Sequence, residues 1–160
     1  MSVLWCVFAA TVLVASMVVH GATFLGVGPM PGVMVIHVLI FPPFIAALVY
    51  ANRLGGPPRE RQKKAMAAAP LWLRVAVGVF FVYAVVNFGL FFHLSEGGVP
   101  RATAGGYELH SHGQVLHSLT EAEFRQHQAY VVRGFSGHWM VFSGAALMFL
   151  VGVARVRDSR

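Results

Sequence analysis

Residues 71–92, LWLRVAVGVFFVYAVVNFGLFF, form an apolar run with a single charge, Arg74, close to its start. A helix needs about 20 apolar residues to cross about 30 Å of hydrocarbon. A basic side chain near the end of such a helix can extend to the interface. The run therefore predicts a membrane span. Three others resemble it: Val3–His20, Val33–Ala51 and Phe135–Ala154, none of which contains Asp, Glu, Lys or Arg. Four spans leave little of the 160 residues for anything else. The predicted fold is an all-α membrane protein of one domain, residues 1–160. It is a four-transmembrane-helix bundle with spans at about 3–20, 33–51, 71–92 and 135–154. A small external hairpin-plus-helix cap, about 94–134, joins spans three and four.

Composition agrees. Charged residues make up 11% of the chain, against roughly 25% in an average soluble protein, and a charge near the bilayer centre costs several kcal/mol. The first span begins without a basic segment and is followed by no clear small-x-small cleavage pattern, so it reads as a retained span rather than a secretory leader. Cys6 is the single cysteine, which excludes an internal disulfide and a Cys-x-x-Cys centre.

The basic residues give an orientation. Arg53, Arg59, Arg61, Lys63, Lys64 and Arg74 lie between or just beyond spans two and three, and Arg155, Arg157 and Arg160 form the tail. Arg101, Arg125 and Arg133 fall between spans three and four. The positive-inside rule then places both termini in the cytoplasm of a bacterial-type inner membrane. The net charge of +6 serves this topology and contact with anionic lipid. No aromatic-interleaved basic patch points to nucleic acid.

Several positions carry local structural signals. Gly21–Gly32 reads as a tight apolar turn. Pro42 and Pro43 predict a kink near Phe41, because proline removes a helical hydrogen bond. The stretch 52–70 predicts a turn, a short solvated helix and a proline-marked approach to span three. Asn87 predicts a hydrogen bond between helices. Gly144 and Gly152 share a helix face and predict close helix contact. In the cap, Tyr107–His110 and Gln114–Leu119 predict two strands around Ser-His-Gly. Thr120 and Glu123 predict a capping box. A helix from Glu121 to about Arg133 follows, with Gly134 as its breaker and Ser136 as the cap of span four.

All eight histidines fall on the predicted external side. His20, His37, His93 and His138 sit near the external ends of the four spans, at similar depth. Facing helices commonly build cofactor sites in this way, so these four are the candidate ligands for a b-type haem or a transition metal. Ser16, one turn from His20, is a candidate partner of its ring. The alternative is that they are interfacial anchors, where amphipathic rings are cheap. His110, His112, His117 and His127 lie in the cap, and with Glu108 or Glu123 they are a second candidate metal set. The corresponding alternative is solvated loop histidines.

No nucleophile elbow, triad order or phosphate-cradling loop occurs, and none of the six acidic residues falls inside a span. The leading functional expectation is a small non-enzymatic membrane protein, an accessory or interaction protein acting through its external cap. Its partners would be the bilayer and another membrane protein or a second copy. A haem- or metal-binding redox protein is the first alternative. A small transport or toxin-immunity protein, in which the Pro42-Pro43 break matters, is the second.

Overall fold

The structure, a computed structural model, describes residues 3–26 and 32–159. Residues 27–31 of the predicted turn Gly21–Gly32, and Arg160, lie outside the described residues; the first four residues of that stretch are not a turn, since α1 continues through Gly21 to Phe24. The elements run α1 (Val3–Phe24), α2 (Val35–Leu39), α3 (Phe41–Asn52), α4 (Pro58–Ala68), α5 (Leu71–Leu94), β1 (Val99–Thr103), β2 (Gly106–Ser111), β3 (Gln114–Leu119) and α6 (Glu121–Asp158). Four helical stretches are long and apolar enough to cross a membrane: α1, the α2–α3 pair, α5 and α6. Large apolar side chains such as Val75, Phe81, Val82, Val85 and Phe92 remain exposed around α5. Such a surface needs an apolar solvent.

α6 is the axis of the bundle. α1, α3, α4 and α5 all pack against it. Near its middle, fully buried Trp139 fills a core with Val12, Val19, Ile40 and Val132. Ala9, Ala47, Ala146 and Leu150 form the next layer, and Ala51, Leu54, Ala65 and Val153 close the α4 end. Small residues on α6 set the approach of its neighbours, as is common for helices in membranes. A Cβ at Gly152 would overlap the Ala65 carbonyl oxygen, and one at Gly134 would lie 2.7 Å from the Phe91 ring.

Gly134 therefore does not break the chain, contrary to the sequence expectation. α6 passes through it and unites the expected cap helix and fourth span in one helix of 38 residues. Glycine in a helix costs only about 1 kcal/mol relative to alanine, and close packing on α5 offsets that. Ser136 is accordingly inside the helix and caps nothing. At the start of α6, the Thr120 hydroxyl accepts from the Glu123 amide and the Glu123 carboxylate accepts from the Thr120 amide, completing a capping box.

The break in the second span falls at Ile40, just before the residues that cause it. Pro42 and Pro43 have no N–H to donate to the preceding turn, so α3 restarts with proline in its first turn, where no donor is needed. α4 is the expected short helix on the connection, and Arg61 Nη1 ties it to the Asn52 carbonyl at 2.6 Å.

The cap contains a three-stranded antiparallel sheet, order β1-β2-β3, rather than the two-stranded hairpin expected. β1 pairs Val99 with His110 and Thr103 with Gly106. The β2–β3 turn has His112 and Gly113 both at positive φ, 51° and 85°, the requirement of a type I′ hairpin. The register shifts between Leu109 and His110, leaving Leu116 as an extra residue on β3. Fully buried Leu109 faces Gly98, and all three strands touch α6.

Candidate functional site

Where α1, α5 and α6 converge near the sheet end of the bundle, polar residues spaced one turn apart meet in an otherwise apolar interior. α1 contributes His20 and Thr23, α5 contributes Tyr83 and Asn87, and α6 contributes Arg133 and Ser136. Each pair is separated by three or four residues, the spacing that puts side chains on one helix face. His20, Thr23, Asn87 and Ser136 are buried.

Their hydrogen bonds form a connected network. Ser136 Oγ donates to the Arg133 carbonyl at 3.1 Å, so it accepts from His20 Nδ1 at 2.7 Å. A neutral imidazole with its proton on Nδ1 must accept at Nε2. The Tyr83 hydroxyl, 2.5 Å away, is then the donor. Asn87 Nδ2 donates to the same Arg133 carbonyl at 2.8 Å. Arg133 reaches back to α1, donating from Nε to Thr23 Oγ1 at 3.1 Å and from Nη2 to the Thr23 carbonyl at 2.8 Å. Thr23 Oγ1 donates in turn to the His20 carbonyl. Three helices are tied together between apolar faces, and between membrane helices such a polar bond contributes about 0.6 kcal/mol and up to about 1.7.

A cavity of about 200 Å³ opens beside this network. One stripe of α5, Tyr83, Asn87, Leu90, Phe91 and Leu94, forms a wall of it. Phe24 of α1 and Tyr130 and Arg133 of α6 complete it. The Arg133 guanidinium carbon lies 4.0 Å from the Phe24 ring centroid and 5.6 Å from that of Tyr130. Aromatic faces attract cations and hold the planar guanidinium in place.

The four histidines near the span ends have separate surroundings. His20 belongs to the network. His37 Nδ1 accepts from Trp139 Nε1 at 3.0 Å and packs edge-on to Phe41 and Phe135. His138 Nδ1 donates to the Gly134 carbonyl at 3.1 Å, with its ring against Phe88. His93 is exposed on the last turn of α5. Ser16 does not serve His20; its hydroxyl donates to the Val12 carbonyl at 2.7 Å.

The cap histidines pair with carboxylates one by one. His110 Nε2 is 2.8 Å from Glu108 Oε2, two residues away on the same strand face. Exposed His112 occupies the hairpin turn. Glu96 lies between the other two, 3.2 Å from His117 Nε2 and 3.8 Å from His127 Nε2. The His117 imidazole is held above its ordinary pKa, first by its hydrogen bond to the Ser118 carbonyl and then by Glu96. Among the described residues, no group of three or more His, Cys, Asp or Glu side chains is arranged to hold a metal ion.

In the sequence His20 and Asn87 stand out as single polar positions, and Arg133 as a topology signal and helix end; their connection does not. The signal available in the sequence is the paired spacings 20/23, 83/87 and 133/136, each of which puts two polar side chains on one helix face. Comparison with protein-family models, with curated proteins and with solved structures gives no match.

Proposed function

We propose that this chain is a small, non-enzymatic multi-pass protein of a bacterial-type inner membrane, with both termini cytoplasmic, that acts as an accessory or interaction protein through its external cap. The basic residues around α4 and in the tail support the orientation. The observation that carries the functional reading is the outer edge of β3. That strand ends the sheet and exposes Val115 and Leu116, with no proline or lysine along it. The opposite edge, β1, is guarded by Pro100 and Arg101. Proline and permanent charge are among the usual protections of a free strand edge; β3 has neither, only the bulge at Leu116 and the titratable His117, and of the two edges it is the one better suited to pairing with an extended segment of another protein. The partner in this reading is another membrane protein with an extended external segment.

The helix-end histidines support this choice over a shared redox or metal site, since each has its own surroundings and His20 has both ring nitrogens engaged, by Ser136 and Tyr83. The test is photo-crosslinking in native membranes from Val115, with Arg101 on β1 as the comparison site. The expected result is a discrete adduct with one membrane protein from Val115 only, lost in Leu116→Asp. An adduct at twice the chain mass would replace that partner with a second copy. Equal, diffuse labelling from both edges would sink the reading.

A further inference from the structure

We infer that the cavity between α1, α5 and α6 binds an anionic amphiphile: one negatively charged headgroup, carboxylate or phosphate, on an apolar chain. No residue of β3 lines this cavity.

The headgroup end follows from Arg133. A guanidinium has five N–H donors, and Arg133 uses one at Nε and one at Nη2 on Thr23. Among the described residues it takes part in none of the five close acid–base contacts. A cation on the wall of an apolar cavity gains most from a ligand that brings its own negative charge. The guanidinium cannot escape that role by rotating away, since two bonds to Thr23 and the Phe24 ring fix its plane. Fixed donors lower the ordering cost of binding.

The chain end follows from α5. Tyr83, Asn87, Leu90 and Leu94 recur at three- to four-residue spacing and line the cavity as one stripe. At 1.5 Å per residue the stripe runs about 16 Å along the helix. Beyond its polar members at the network, the wall is Leu90, Phe91 and Leu94, with Val86 beside them. Phe24, Val86 and Leu90 line the cavity while remaining exposed. The cavity is thus open on the flank between α1 and α5, the side from which a membrane-dissolved molecule would enter. Its volume of about 200 Å³ exceeds the roughly 150 Å³ that holds a benzene-sized guest in an apolar protein cavity. That is room for part of one chain, with the remainder lying along the exposed flank of α5.

The ligand has two sources, an anionic phospholipid of the bilayer or a free fatty-acid-like molecule, and one experiment separates them. The full chain in phosphatidylcholine nanodiscs is labelled with a photoactivatable medium-chain fatty acid, and the adducts are mapped by mass spectrometry. The expected adducts lie on residues 83–94 and 130–133, saturate, and are competed by unlabelled fatty acid but not by its methyl ester. Arg133→Gln reduces labelling at least tenfold, whereas Arg133→Lys, which keeps the charge, retains most of it. Leu90→Trp fills the cavity, leaves Arg133 in place and also reduces labelling at least tenfold. It decides the matter if Arg133→Gln fails to fold. Competition by phosphatidylglycerol added to the nanodisc assigns the site to bilayer lipid, and no competition assigns it to a free amphiphile. Equal competition by the methyl ester, or undiminished labelling in folded Leu90→Trp, overturns the inference.

Discussion

The side-chain amide of Asn87 reaches the main-chain carbonyl of Arg133, at 2.8 Å, through the space that Gly137 leaves open. A Cβ at position 137 would stand 2.9 Å from Asn87 Nδ2. A polar side chain on one helix is thus matched to a missing side chain on the next. The contact sits at the root of the network that also holds Ser136 and His20.

This pairing predicts unequal effects for substitutions on its two sides. Asn87→Leu removes one interhelical hydrogen bond and should cost about 0.6 kcal/mol, at most about 1.7. Gly137→Ala crowds the amide as well and should cost more, about 1–3 kcal/mol as for other overpacked sites. The double variant Asn87→Ala with Gly137→Ala should recover part of that loss. Unfolding in mixed detergent measures all three, and strictly additive losses would contradict the coupling.

Gly152 predicts a larger local failure. Any side chain there meets the Ala65 backbone oxygen rather than a flexible side chain, so α4 and α6 must separate. Gly152→Val should expose α4 to proteolysis near Arg59–Lys64, while Gly144→Ala, whose Cβ would make ordinary contacts with Val77 and Phe80, should leave the digestion pattern unchanged. The reverse order of sensitivity would show that α4 is not held by this contact.

A pH dependence follows for the cap. His117 has its pKa raised by the Ser118 carbonyl and Glu96, with Glu123 adding a weaker pull. Its protonated form is favoured in the folded cap. The stabilisation is therefore complete below the ordinary value near 6.5 and is lost as pH rises through the higher folded value. Hydrogen exchange in β3 should accelerate across that window beyond its intrinsic pH dependence. Glu96→Gln should shrink the change, and a His117 titration midpoint unmoved in that variant would count against the ion pair.

The proposed orientation predicts that a reporter fused at Lys64 is active only in the cytoplasmic format and one fused at Gly105 only in the external format. Exchanging the formats' results would reverse the sidedness on which the cap reading depends.

The apolar runs were legible because span length and absence of charge are properties of composition and need no tertiary knowledge. The break before Pro42-Pro43 and the Thr120–Glu123 box were legible because each is a local consequence of backbone donors. β1 was not, since Val-Pro-Arg-Ala-Thr lacks the alternation of a half-buried strand and contains a proline. The continuity of α6 was not legible either. Gly134 looks like a stop in one dimension and becomes a packing surface only when Phe91 of α5 lies against it. The polar network shows the same limit: each residue is visible alone, but their meeting depends on how three helices are rotated about their axes.

The unbroken α6 has a geometric consequence. Its 38 residues extend about 57 Å, nearly twice the about 30 Å of a hydrocarbon core. The sheet rests on one end, and Arg155 touches the Ala68 carbonyl near the other. With no break between them, the sheet and the basic tail sit at opposite ends of one continuous helix, so the distance that separates them is set by helical rise and not by a loop.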